Sequence, residues 1–394
     1  MKHVKQIYQE RKADFKLQKK KVQKTLLIFS LLRLTVFAIS ICIAYVLWGN
    51  PKWVGLTIIV GILSFVLLIK LFTKAKYQKQ KLEALIEINE IELKTNLSNF
   101  NYFPDGENYQ NDQHAFSQDT DLFGQKSFFQ YLNRTQLAEG EKCLANKLQQ
   151  NDVDAIPEKQ ALVKEMADKI DFRQEFAAHA KLLNTEEKIT NILSWLTNYK
   201  SHVPKFTRWF PYAFSLLSVI VISLFFIEII NLKQFLIWLF ISLGITGFFM
   251  KKTNALSNFA GKAQASFQQY GKLLRLIEST TFSSPKSKAF QQEIIQDNTK
   301  FSATLHQFSK QIDNLEQRNN MLLGVVINGF FLWDVMQSYK IEKWIKKHHQ
   351  KVENVFQLVA EFDAWCSFGN FSFNHQDYVF PEINHQAESQ LFGE

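Results

Sequence analysis

FPYAFSLLSVIVISLFFIEIINLKQFLIWLFISLGITGFFM, residues 210–250, decides how this chain is built. It holds two apolar runs, Phe210–Ile230 and Phe235–Met250, joined by the short turn Asn231–Gln234. The first run carries a single charge, Glu228, near its end. A bilayer core takes roughly 20 apolar residues as a helix; the first run meets that length, and the second approaches it by extending back through Gln234 and Leu232. A buried pair of soluble helices is the other reading of such a stretch.

The same pattern stands earlier in the chain. Leu26–Trp48 and Trp53–Phe72 are apolar and joined by Gly49–Lys52. The first of them is too long for a signal peptide, has no small-residue cleavage site, and is followed at once by a second run. Four spans in two hairpins are therefore expected, in a multi-pass membrane protein. Lys and Arg set the orientation. Residues 1–24 carry nine basic residues against two acids. Lys74, Lys76, Lys79 and Lys81 follow the second run, Lys200, Lys205 and Arg208 precede the third, and Lys251 and Lys252 follow the fourth. The positive-inside rule places both termini and the soluble segments in the cytoplasm, with the two short turns outside. Arg33 lies inside the first span. It reads as a side chain that snorkels to the cytoplasmic headgroups or as a functional intramembrane charge.

Outside the spans the sequence is ordinary soluble material. The net charge is +9, much of it in the basic N-terminal segment, which is expected to lie on anionic lipid. Cys42, Cys143 and Cys366 are scattered, so no disulfide framework is expected. The sequons at Asn96, Asn133 and Asn370 fall on the cytoplasmic side. His348–His349 lacks further ligands at metal spacing and reads as a solvated helix end. No phosphate-binding loop occurs, because Gly261–Lys262 lacks the upstream glycine and the following Ser or Thr. Nor does any G-x-S-x-G, H-E-x-x-H or G-x-G-x-x-G. The acids read as solvated helix faces beside lysines, so no enzyme activity, catalytic residue, cofactor or metal site is expected in this chain.

Hydrophobic spacing predicts helix almost throughout. Helices are expected over Gln80–Leu97, Lys126–Leu132, Gln136–Gln149, Ala155–Ala180, Ser287–Leu315, Leu322–Lys347 and Val352–Phe371. Thr185–Trp209 and Thr253–Thr280 are expected to be long helices continuous with the second hairpin, and Asn99–Asp119 a polar loop. Leu322–Val335 is apolar but short, with Lys340 and Lys343 close behind. It is expected to be a buried core helix.

Three segments carry a resemblance. They are DLFGQKSFFQYLNRT (121–135), continuing to Gly140; DNLEQRNN (313–320), followed by Asn328 and LWD (332–334); and EFDAWCSFGNFSF (361–373), followed by YVFPEI (378–383). The first and third resemble the two ends of the core and lever region of the MutS DNA-mismatch-repair family. All three together look like its bacterial membrane-anchored relatives. The resemblance implies an all-α fold: two transmembrane hairpins plus a cytoplasmic MutS-like core/lever domain with long helices, in a bacterial cytoplasmic (inner) membrane. It divides the chain into a basic N-terminus (1–25), hairpin 1 (26–73), a helix and polar linker (74–118), the first half of the core/lever (119–209), hairpin 2 at the clamp position (210–250), the lever return (251–383) and a junction to an ATPase domain (384–394).

The motif residues are Asp121, Asn133, Arg134, Thr135, Gly140, Asp313, Arg318, Asn320, Asn328, Trp333, Asp334, Asp363, Pro381 and Glu382, all expected to be structural. Asn133 or Thr135 would cap the following helix, Gly140 would permit close packing, and Asp363 and Asn370 would hydrogen-bond in the core. Pro381 would end the helical region.

In the family an ABC-type ATPase follows the segment resembling Tyr378–Ile383. This chain stops at Glu394, so ATP and Mg are expected only if that domain is supplied separately. Residues 1–120 lack the Phe-x-Glu wedge of the mismatch reader. The implied function is a lever module coupling a separate ATPase to the membrane, its partners the lipid bilayer and an ATPase subunit or a homodimer mate. Two alternatives stand beside it. One is a membrane-tethered DNA-binding protein using Lys181, Lys188, Lys200, Lys262, Lys272 and Arg275, interleaved with Glu186, Glu187 and Glu278. The other is a structural scaffold for protein partners.

Overall fold

The computed structural model describes residues 2–95, 99–150, 153–183, 188–201, 203–295 and 300–382. Among them every regular element is a helix, as an all-α reading requires. Asn96, Glu186, Glu187, Ile383 and the 384–394 junction lie outside the described residues.

Two compact units are built from interleaved segments. The first comprises Met1–Ala178, Phe282–Lys286 and Asp363–Glu394. It contains α1 (Lys2–Val46), α2 (Pro51–Lys94), α3 (Phe128–Leu132), α4 (Ala138–Gln149), α5 (Ile156–Asp168) and most of α6 (Ile170–Lys181). The second comprises His179–Thr281 and Ser287–Phe362. It contains α7 (Ile189–Asn198), α8 (Phe210–Phe226), α9 (Leu232–Ser279), most of α10 (Pro285–Ile294), α11 (Phe301–Glu316), α12 (Met321–Phe331) and most of α13 (Trp333–Asn374).

In the first unit α1 and α2 form one long antiparallel pair. Proline at the start of α2 suits the first turn, where its missing N–H is not needed. The apolar halves expose Leu27, Ile28, Leu31, Ile59, Ile62 and Leu63. Both helices are long and apolar enough to cross a membrane. Arg33 stacks its guanidinium 4.1 Å from the ring centre of Phe72, the last residue of the second apolar run. The basic N-terminal segment is part of the same helix as the first apolar run, and three of its lysines meet acids on α2: Lys12–Glu90 at 3.0 Å, Lys16–Glu90 at 3.6 Å and Lys19–Glu83 at 2.9 Å. Val4 and Tyr8 are buried at its start.

In the second unit α9 runs unbroken for 48 residues, on the order of 70 Å at the helical rise. Its start is fixed by a capping box between Asn231 and Gln234. It too is long and apolar enough to cross a membrane, whereas α8 is a 17-residue apolar helix. The third apolar run is thus shorter as a helix than its sequence length. It stops at Phe226, and Glu228 takes a left-handed φ of 63° in the turn toward α9. The two helices are nonetheless fastened side by side: Phe214 stacks on Trp238 at 4.7 Å, Phe225 on Phe235 at 4.5 Å, and Trp238 Nε1 donates to Ser218 Oγ at 2.9 Å.

Several expected helices are divided differently. Thr185–Trp209 is not one long helix: α7 ends at Asn198, and Pro204 precedes a 3-10 turn at Lys205–Arg208. Ala155–Ala180 breaks at Lys169, and Ser287–Leu315 splits into α10 and α11. The stretches Leu322–Lys347 and Val352–Phe371 are redistributed. A break at Leu332, with φ 46°, ends α12, and from Trp333 a single helix continues to Asn374. The helical region therefore ends before Pro381, not at it.

Candidate functional site

In the first unit the motif residues meet where α1, α2, α3 and the end of α13 converge. Arg134 is the hub. Its Nε donates to Glu92 Oε1 at 2.5 Å, and its Nη1 to the carbonyls of Tyr131 and Asn133 at 2.9 and 3.0 Å. The guanidinium lies 3.8 Å from the ring centre of Phe103. Glu92 also accepts from Asn370 Nδ2 and Asn374 Nδ2, each at 3.1 Å, and Tyr8 donates to Asn374 Oδ1 at 2.8 Å. Burial raises the Tyr8 hydroxyl pKa, and the Glu92 charge adds to it. These groups line a cavity of about 420 Å³ that Tyr131, His375 and Tyr378 complete.

The expected cap at Asn133 or Thr135 is corrected by the geometry. Asn133 Oδ1 accepts from Thr135 N–H and Oγ1 at 3.0 and 2.7 Å, closing a local turn. The start of α4 is held from a distance instead: Asp363 Oδ2 accepts from Gln136 and Leu137 N–H at 3.0 and 2.8 Å. Burial pushes the Asp363 carboxyl up to about 7, against these two bonds that favour the anion. Gly140 is needed here, because a Cβ on it would lie 2.7 Å from the Asp363 Cβ. Ser367 Oγ, one turn along α13, accepts from Arg134 N–H at 3.0 Å. Of the other motif residues in this unit, Asp121 takes a left-handed φ of 45° and its carbonyl accepts from Phe128 N–H. The Pro381 carbonyl accepts from Gln160 at 2.8 Å, and Glu382 is exposed.

The second unit gathers the second motif. Arg318 Nη1 pairs with Asp334 Oδ2 at 2.9 Å, and Nη2 donates to Asn254 Oδ1. Asn328 Nδ2 donates to Asp334 Oδ1 at 3.0 Å while its Oδ1 accepts from Asp334 N–H at 2.9 Å. Trp333 Nε1 donates to the Asn314 carbonyl at 2.7 Å, Gln264 donates to Asp313, and the Asn320 carbonyl accepts from Gly324 N–H at 2.7 Å.

Most acids among the described residues are exposed or partly exposed, as expected, but a few are not. Glu165, Glu278 and Glu342 are buried, as Glu92, Asp334 and Asp363 are. Each fastens the start of another segment. Glu165 accepts from Ser283 Oγ at 2.9 Å and Ser284 N–H at 3.1 Å, just before α10. Glu278 accepts from Ser302 N–H at 2.8 Å in the first turn of α11. Glu342 on α13 accepts from Tyr199 at 2.8 Å, from Ser201 and from Val203 N–H at 3.2 Å, along the connector into α8. The available signal was helical spacing: Asn89 and Glu92 fall four and seven residues after the core residue Leu85, on the same face. His348 is not at a helix end either. It lies within α13, its ring centre 5.1 Å from that of Trp344. Among the lysines proposed for DNA, Lys272 is half-buried, and desolvation lowers its pKa to about 8.

Chemically, these are polar joints: donors and acceptors from distant sequence positions satisfy one another in buried surroundings. Among the described residues no three His, Cys, Asp or Glu side chains converge as a metal site. No protein-family model, no curated protein and no solved structure matches this chain.

Proposed function

We propose that this protein is a membrane-anchored lever module of the MutS-like kind, coupling a nucleotide-driven partner to the bilayer. The observation that carries the reading is α9. Its first half is apolar and partly exposed, and its second half buries Ala260, Ala263, Phe267, Tyr270, Leu273, Leu274 and Ile277 in a soluble core. A rigid helix of this length transmits displacement at one end to the other. The joint at Glu342 ties the connector of the neighbouring span to α13, so both arms of the hairpin are held by the soluble helices. The MutS-like resemblance of the three motifs supplies the identity of the driver, an ABC-type ATPase acting with ATP and Mg. Duplex DNA is disfavoured as a partner, because the position of the family's DNA clamp is taken by apolar helices.

The test is isolation of the full chain from native membranes after mild cross-linking. An ATPase in the complex is expected, with turnover that changes when two glycines are inserted after Met250 to interrupt α9. A complex of unrelated proteins without nucleotide hydrolysis overturns the reading in favour of a scaffold. Salt-dependent binding of duplex DNA overturns it in favour of a tethered DNA binder.

A further inference from the structure

Helix α12, MLLGVVINGFF, carries no charge, and the sequence reading makes it a buried core helix. Its outer face does not fit that reading. Val325 is 42% exposed and Val326 52%, adjacent apolar residues facing away from the soluble core. Its inner face packs on the second hairpin. Phe330 meets Phe235 with ring centres 5.4 Å apart, and a Cβ on Gly329 would lie 3.5 Å from Leu239 Cγ. Leu332 joins Phe214 and Phe249 in one buried cluster.

The depth of these contacts follows from α9. Leu239 lies seven residues into that helix, roughly 10 Å from its outer turn and roughly 18 Å from Lys251 at the helical rise. At 11 residues α12 is about 16 Å long, near half of a hydrocarbon core of roughly 30 Å. Both of its ends return to one level. Arg318, ahead of α12, donates to Asn254, and Ser338, after it, bonds Thr253 Oγ1 at 3.3 Å; both partners directly follow Lys251 and Lys252. The Arg318–Asp334 pair ties the way in to the way out.

A helix that stops inside a bilayer leaves carbonyls without partners, which hydrocarbon does not tolerate. Here the hairpin supplies a partner for the first of them: Ser242 Oγ donates to the Asn328 carbonyl at 2.7 Å, while Ser215 Oγ, whose hydroxyl donates to the Pro211 carbonyl at 2.7 Å, stands 3.4 Å from the Phe331 carbonyl. The one amide side chain within α12, Asn328, is spent on Asp334. We propose that α12 is a re-entrant membrane segment that dips into the bilayer core against α8 and α9, with Val325 and Val326 on acyl chains. The proposal rests on the second hairpin spanning the membrane and not on the ATPase coupling.

The test is spin labelling of the full chain in phosphatidylcholine–phosphatidylglycerol vesicles, with exposed Cys42 replaced by Ala. Labels are placed at Val326→Cys, at Val325→Cys as a second probe, at Val219→Cys on the outer face of α8, and at Lys346→Cys on α13. Collision with oxygen, which concentrates in lipid, is compared with collision with a water-soluble nickel chelate. Labels at 325 and 326 are expected to match 219, with a ratio several-fold above that at 346. A ratio at 326 like that at 346, while 219 stays lipid-like, overturns the proposal and leaves the hairpin standing. Shielding of 325 and 326 from both reagents overturns it in favour of a protein-covered face. A water-like ratio at 219 removes the spanning hairpin itself.

Discussion

Asp363 holds the backbone N–H of Leu137 at 2.8 Å, 226 residues away in the chain, and so caps a helix to which it does not belong. The carboxyl is fully buried, and its pKa lies near 7 in the folded state against about 4 unfolded. Between those values the folded protein keeps a proton that the unfolded chain has lost. Stability from this group is therefore complete below about pH 4 and falls as pH rises through about 7. Asp363→Asn keeps an acceptor of the same shape and removes the titration. Melting temperatures in detergent, compared between the two proteins from pH 4 to 8, are expected to diverge: the variant gains on the wild type as pH rises, then holds a constant offset. A constant offset across the whole range refutes the titration.

Gly140 faces that same carboxylate. A methyl group there has no room, with Asp363 Cβ 2.7 Å and Cγ 2.8 Å from its position. Overpacking of this kind costs about 1–3 kcal/mol. Gly140→Ala is expected to lower the melting temperature although alanine favours helix. In an Asp363→Gly background, where the Cβ and the carboxyl are both gone, the same change is expected to be neutral or stabilising. That reversal separates packing from helix propensity.

Arg318 and Asp334 are mutually dependent in the second unit, with Asn328 satisfying the other carboxylate oxygen. Removing one partner of a largely buried pair leaves a charge stranded, at roughly 3–5 kcal/mol. Arg318→Met and Asp334→Leu are each expected to be strongly destabilising, and the double variant less so than the sum. A thermal double-mutant cycle with additive losses removes the pair as an energetic unit.

The apolar helices were legible because apolar length is a property of contiguous residues, and Leu26–Phe72 and Phe210–Met250 show it directly. Helix continuity was half legible. The long α9 has no interior proline, whereas the break at Leu332 falls on a residue that is neither glycine nor proline, beside the local bond from the Asp334 N–H to Asn328 Oδ1. Arg134 and Arg318 lie in polar joints, but their partners Glu92 and Asn254 could not be read. Each is an ordinary polar residue on an amphipathic helix until the fold brings it to its partner. Buried Glu165, Glu278 and Glu342 were misjudged for the same reason, since a neighbouring lysine in sequence says little about which face an acid takes.

The excess of Lys and Arg beside every span predicts which side each turn occupies. Asn50 and Lys233 lie in or beside the short turns and are exposed, while Lys76 and Lys252 sit at the opposite span ends. With Cys42 changed to Ala, single cysteines at these four positions are treated in intact cells with a membrane-impermeant maleimide. Asn50→Cys and Lys233→Cys are expected to react at once, and Lys76→Cys and Lys252→Cys only after the membrane is opened. Cys143 and Cys366 are buried, and burial pushes the Cys366 thiol pKa upward, so that thiol stays protonated and slow to react. Reaction at Lys233→Cys only after lysis, with Asn50→Cys reactive beforehand, would leave the first hairpin spanning and make α8 and the start of α9 a pair that rests on the cytoplasmic face.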